Sequence, residues 1–353
     1  MISHAPIEAN LDDLALLEVS GPDAAAFLQG QLTQDISASD PAQAQLAGYC
    51  SPKGRLMASM IVWHEAAPSA AFFILLKQDI AASFAARLAR FVLRAKVSIR
   101  PFAARIGGVM LPMTDEASES LARSRTDTQE SVTPDDGNAN RLSVPASDSF
   151  RPYDITHSAS GTWIAAPAGL QGLRRWWRIT PAAPGGATEQ AGEADTVLPS
   201  PPTCLPSVPA SVWQAQDIAA GLGWVVSATQ ELFIPQTLNF DLIGGLSFAK
   251  GCYPGQEVVA RSHYRGTVKR RMVRGAIQAE GLQVAPGADV FDHARPGAPC
   301  GRIVGAARSN GVTHVLFEAP LAGLDSADFR LGTSDGPAIA PGTLPYDIAA
   351  AAA

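Results

Sequence analysis

The stretch from Ala71 to Arg100 constrains this chain more than any other. Ala71 to Leu76 is an unbroken apolar run of the length expected of a buried strand. Asp79 to Leu93 then places Ile80, Phe84, Leu88 and Phe91 on one helical face and Arg87, Arg90 and Arg94 largely on another. Lys96 to Arg100 is strand-like again. A β-α-β unit inside an otherwise mixed sequence predicts an α+β domain.

At 353 residues the chain exceeds what one simple core organises, so two or three domains are expected. Ser20-Gly21-Pro22-Asp23 offers an N-cap and an acidic first turn for a helix that runs through Ala24 to Gln29 and stops at Gly30. Gly48-Tyr49-Cys50, the turn Ser51-Pro52-Lys53-Gly54 and the run Arg55 to Trp63 read as a hairpin, with Pro and Gly where a type I turn wants them. Thr114 to Ser149 and Pro181 to Pro209 have the composition of poorly ordered insertions. Beyond Lys269, short β-like runs (Met272 to Ile277, Arg302 to Ala307, Val312 to Phe317) alternate with Gly/Pro turns, as in a small all-β domain. Arg174 to Ile179 reads as a surface strand whose arginines cover apolar neighbours.

Composition narrows the function classes. A net charge of −6 argues against a surface that grips nucleic acid throughout, though not against a local basic site. Met1 to Asp13 lacks a secretory pattern and no run suits a membrane span, so a cytoplasmic protein without a membrane partner is expected. The four cysteines (50, 204, 252, 300) lack C-x-x-C spacing and the six histidines lack H-x-x-x-H. Reduced thiols are expected rather than a metal set.

Asn239 to Gly266 carries the most chemical information. Gly244-Gly245 marks a turn, and Lys250-Gly251-Cys252-Tyr253 leads to Pro254, which suits the first turn of a helix. Glu257 and Arg261 stand four apart on that helix and can pair. Cys252 thus falls just before a helix N-terminus, with Lys250 as a cationic neighbour that would favour a thiolate. The alternative is a small packing residue in a glycine-rich turn.

Several segments together resemble the YgfZ family, whose members are related to the folate-dependent aminomethyltransferase (T-protein, GcvT) of glycine cleavage. They are Leu28-Gln29-Gly30-Gln31-x-Thr33-x-Asp35, Cys50-x-x-Lys53-Gly54, Phe233-Ile234-Pro235-Gln236 with Asn239, Lys250-Gly251-Cys252-Tyr253-x-Gly255-Gln256-Glu257 with Ala260-Arg261, and Leu344-Pro345-Tyr346. The resemblance implies a multidomain three-part arrangement around a central tetrahydrofolate site, spanning about residues 1–265, with a C-terminal small β-barrel over 266–349. It also implies a role in assembling or maintaining iron–sulfur enzymes, including one that modifies tRNA. Cys252, with Lys250, is the functional thiol it assigns, with Tyr253, Gln256, Glu257 and Arg261 beside the folate. Trp213 matches a position of folate contact, where a flat ring can stack on a pterin; the alternative is a core tryptophan on an amphipathic helix.

Two departures matter. Leu14, after Asp12-Asp13, replaces the second folate tryptophan. Ala58-Ser59 stands where the T-protein carries an acidic pair, which removes the general base of aminomethyl transfer. A folate-binding accessory protein is therefore expected ahead of a C1 transferase. A tRNA-binding module is the third option, since Arg261, Arg265, Lys269, Arg270, Arg271 and Arg274 form a cationic run that suits phosphates or a folate glutamate tail.

Overall fold

A computed structural model of the chain describes residues 6–37, 39–65, 71–111, 151–169, 173–182, 205–264, 268–279 and 281–348. The β-α-β unit takes the expected form. Its first strand, β5 (Ala71–Lys77), is the centre of a five-stranded antiparallel sheet. The sheet is ordered β3 (Gln45–Cys50), β4 (Leu56–Glu65), β5, β2 (Leu14–Ser20), β6 (Ser98–Pro101). Helices α1 (Ala24–Gln29) and α2 (Gln78–Ala89) pack on it, and Phe27, Leu28, Ile80, Phe84 and Leu88 close a core with Ala47, Ala58 and Ile74. Three details differ from the sequence reading. Ser20 ends β2, and Asp23 begins α1. Helix α2 stops at Ala89, because Leu93 turns to φ +39° and leaves Phe91 and itself in solvent. Strand β1 (Ile7–Asn10) and β2 precede the first element expected.

A second sheet of six strands is ordered β11 (Ser207–Val208), β1, β7 (Ala104–Leu111), β10 (Arg174–Pro181), β9 (Gly161–Ala166), β8 (Ile155–Ser158). Strand β10 is central and buried, not a surface strand. Trp177 and Ile179 join the main core on one face while Trp176 packs with Trp163 and Val109 on the other. Its arginines are paired inward: Arg175 with Asp217 at 2.8 Å and Arg178 with Glu8. Of the two expected insertions, Thr114 to Ser149 lies outside the described residues. The second contributes Pro181 and Ala182 to the described chain, then Leu205 to Pro209, where β11 runs parallel to β1.

The third sheet is a curled half-barrel ordered β16 (Phe329–Leu331), β13 (Asp289–Asp292), β14 (Gly301–Ser309), β15 (Val312–Pro320), β12 (Arg270–Ile277), β17 (Ala340–Gly342). A bridge from Arg330 to Ala338 draws its two edges together. Phe317, Phe329, Val290 and Ile303 fill it. Helix α3 (Ala210–Ala219) lies against β14, β15 and β1, so one apolar core runs across all three sheets, from Leu14 and Trp63 through Trp177 and Trp213 to Met272 and Leu316. The boundary expected at 265/266 falls in 265–267, outside the described residues. No helix among those described is long and apolar enough to cross a membrane.

Candidate functional site

The segments singled out by sequence meet in space. Helix α4 (Gln256–Tyr264) follows the Lys250–Gly255 loop, and Glu257 pairs with Arg261 at 2.7 Å on its exposed face. The loop is locked to the β3–β4 turn. Gly255 has φ +79°, and a Cβ there would lie 2.4 Å from the Ser51 carbonyl oxygen and 2.7 Å from the Gly54 Cα. Gly54 itself has φ +70°, with Val258 pressed against it. Two backbones touch here, which only glycine permits. The third segment closes the group. Thr33 donates through Oγ1 to the Gly245 carbonyl at 2.7 Å, and the Ser247 amide donates to the Thr33 carbonyl at 3.0 Å.

Lys250 does not sit beside the thiol as a free cation. Its Nζ donates to the carbonyls of Gln29 (2.6 Å) and Leu32 (2.5 Å), capping the C-terminal end of α1 where carbonyls lack helical partners. The side chain crosses the Tyr253 ring, with Nζ 5.3 Å from its centroid. Lys250 is 7% exposed, and burial pushes its ammonium down to about 8 against the attraction of Asp35. Tyr253 is buried in the main core, with its hydroxyl pushed up by burial and by the Cys50 thiol. Cys252 therefore differs from its neighbours: it is exposed while they are committed. It also stands four residues before α4, not at its first turn, because left-handed Gly255 separates Pro254 from the helix. The lysine expected beside the thiol thus spends its donors on the α1 carbonyls, and the helix begins later than Pro254. Cys50 is buried, with its thiol pushed up to about 12, and Cys300 is partly buried, with its thiol also raised. Among the described residues, no three His, Cys, Asp or Glu side chains gather as metal ligands would.

A cavity of about 440 Å³ opens between the first sheet, α3 and the half-barrel, lined among others by Asp13, Lys77, Gln214, Trp224, Val304 and Leu316. Its polar wall is ordered. Asp13 accepts from Lys77 Nζ (2.5 Å) and Gln214 Nε2 (2.8 Å), and Asp217 accepts from Trp224 Nε1 (3.0 Å) and Arg175 (2.8 Å). Lys77 Nζ lies 5.5 Å from the Trp224 ring centroid. The sequence reading missed this wall, since its residues are scattered and form no motif. Trp213 lies elsewhere. It is 1% exposed, with the Arg175 guanidinium 4.6 Å from its ring and the Gly108 backbone against its six-membered ring. That is the packing of a core tryptophan. Leu14 is buried in the same core, one residue from Asp13 on the cavity wall.

No protein-family model matches the chain. The tRNA-modifying protein YgfZ of Klebsiella pneumoniae (strain 342) is 30% identical over 263 residues, covering 74% of this chain and 69% of that protein. The chain belongs to the YgfZ family. The tRNA-modifying protein YgfZ of Edwardsiella ictaluri (strain 93-146) is 29% identical over 279 residues, covering 78% of this chain and 73% of that one. The crystal structure of the glycine cleavage system aminomethyltransferase T from Bartonella henselae matches with a TM-score of 0.57 at 13% identity, over 97% of this chain and 86% of that one. This YgfZ-family chain therefore has the aminomethyltransferase fold.

Within that fold the remaining family segments act as fasteners. Gln236 donates to the Val259 carbonyl at 2.7 Å and Asn239 to the Met272 carbonyl at 2.8 Å, tying the stretch before the loop to α4 and β12. Tyr346 donates to the Gly221 carbonyl (2.9 Å) and accepts from Asn239 (3.2 Å). Ser59, at the place of the T-protein acid, is buried and accepts the Val225 amide at 2.7 Å. The cationic run is dispersed. Arg271 is buried in a bidentate pair with Asp241 (2.9 Å each), Arg261 belongs to Glu257, and Arg274 faces the Thr343 carbonyl. Arg265 is outside the described residues, while Lys269 and Arg270 line a separate groove.

Proposed function

We propose that this YgfZ-family protein is a folate-binding accessory factor that supports iron–sulfur enzymes, tRNA-modifying ones among them, through the thiol of Cys252. The observation that carries the reading is the rigid presentation of Cys252: an exposed thiol on a loop fixed by the Gly255–Ser51 backbone contact and by Lys250 on the α1 carbonyls. A loop so held can offer the sulfur to a partner without first being ordered. If Cys252→Ala fully restores iron–sulfur enzyme activity and tRNA modification in a strain lacking this protein, the thiol role is wrong.

The folate part rests on the cavity. Its volume suits a small-molecule ligand, and Trp224 beside the Asp13 carboxylate offers a ring face with an acceptor for the N–H edge of a pterin. The role given to Trp213 by resemblance passes in this reading to Trp224. Tetrahydrofolate titration followed by tryptophan fluorescence, in wild type and in Trp224→Phe and Asp13→Asn, tests it. Saturable quenching that both substitutions weaken is expected; quenching unchanged by both places the ligand elsewhere. A C1 transferase gains no support, because Ser59 supplies no carboxylate and its hydroxyl oxygen already serves the Val225 amide.

A further inference from the structure

Two adjoining hollows of about 300 and 240 Å³ lie between the β3–β4 turn, α4 and the half-barrel, and both include Leu232, Arg270 and Glu318. Together they form one groove into which four cations converge from three separate parts of the chain: Arg55, Lys269, Arg270 and Arg302. Glu318 is the sole carboxylate among the described residues of its lining, 3.4 Å from Arg270, and Asp289 holds Arg302 from the side at 3.1 Å. On a chain of net charge −6 this is a concentrated reversal of sign. Arg55 is fixed through its donation to the Leu232 carbonyl.

We infer that this groove binds the phosphodiester backbone of an RNA. Three features select a polyanion over a single small anion. All four cations are exposed, whereas a site for one phosphate would enclose its donors. The charges are spread along two connected hollows rather than focused on a point. Between them Leu232, Ile234 and Pro299 offer apolar surface on which a ribose or base can lie. Glu318 serves as the internal counter-charge that keeps Arg270 turned toward the groove. The groove uses neither Cys252 nor the cavity at Trp224, so the inference stands or falls apart from the function proposed above.

The test is binding of an unmodified tRNA transcript to the full chain, by fluorescence anisotropy at several salt concentrations. Lys269→Gln/Arg302→Gln removes two cations but leaves the Arg55 and Arg270 contacts in place; thermal unfolding and circular dichroism confirm that it is folded. Wild-type affinity is expected to fall steeply with salt. In the double variant the log–log slope should shrink by about 1.4–1.8, with affinity weaker by roughly tenfold or more near 0.1 M salt. Arg90→Gln/Arg94→Gln, exposed on the α2–β6 connection and outside the lining of both hollows, should behave as wild type. No tRNA binding at low salt, equal loss in both double variants, or displacement of tRNA by an equal charge of polyglutamate would each overturn the inference.

Discussion

Replacing Gly255 by alanine tests whether the Cys252 loop is held by backbone contact. The residue has φ +79°, which costs an L-residue about 1–2 kcal/mol. The added Cβ would meet the Ser51 oxygen at 2.4 Å and the Gly54 nitrogen and Cα at 2.7 Å, all backbone atoms that cannot rotate away. Overpacking of this kind adds about 1–3 kcal/mol, so the total is about 3 kcal/mol, or roughly 6–12 °C in Tm for a unit of a couple of hundred residues. Gly251→Ala is the matched control. It adds the same methyl group beside Cys252, yet its Cβ meets nothing within 4 Å, and the change should stay within about 0.5 kcal/mol. Calorimetry or urea melts of both variants, with the labelling rate of Cys252 as a readout of loop order, decide the matter. Equal Tm values for the two, or a larger loss for Gly251→Ala, would refute the interlock.

Between pH 8 and 10.5 the unfolded chain holds the Lys250 proton and the folded chain does not, so this group makes the fold more stable as pH rises. Wild type should therefore gain up to about 3 kcal/mol relative to Lys250→Met across that interval in denaturant melts at fixed pH steps; a constant difference would count against the buried ammonium. Arg175→Leu strands the Asp217 carboxylate beside Trp224 and should destabilise by about 3–5 kcal/mol, while Arg175→Leu/Asp217→Leu should recover part of the loss. Iodoacetamide should label Cys252 in the native protein well before Cys50, whose thiol is buried and pushed up to about 12; mass spectrometry of the digested protein reads the order directly.

Local rules carried the sequence reading as far as local rules decide structure. The hairpin through Ser51–Gly54 was legible because a turn dictates its own residues, and the Gly54 amide indeed donates to the Ser51 carbonyl at 2.8 Å. The helix with Glu257 and Arg261 was legible from its spacing. What failed was set by distant partners. Pro254 fits a first turn, but the Ser51 and Gly54 backbones demand a left-handed Gly255 after it. Lys250 is two residues from Cys252, yet its acceptors are the carbonyls of Gln29 and Leu32, far away in the chain. Arg174 to Ile179 looked like a surface strand because its arginines have no local acid; the acids are Glu8 and Asp217 on other elements. The cavity wall was invisible for the same reason, since Asp13, Lys77, Gln214 and Trp224 share no periodicity.

The Tyr346 hydroxyl has a consequence for the order in which this protein is made. It reaches back 125 positions to the Gly221 carbonyl and 107 to the Asn239 amide, a seam between segments distant in the chain. Translation delivers the earlier partners long before the tyrosine. Until residue 346 clears the ribosome, the Gly221 oxygen lacks that donor and Asn239 that acceptor, and water must serve both. The clasp on the segment leading to Cys252 is thus fastened only after both of its partners have long been synthesised. A nascent chain stalled short of it should carry an unsealed seam and be cut there by a protease that spares the released protein.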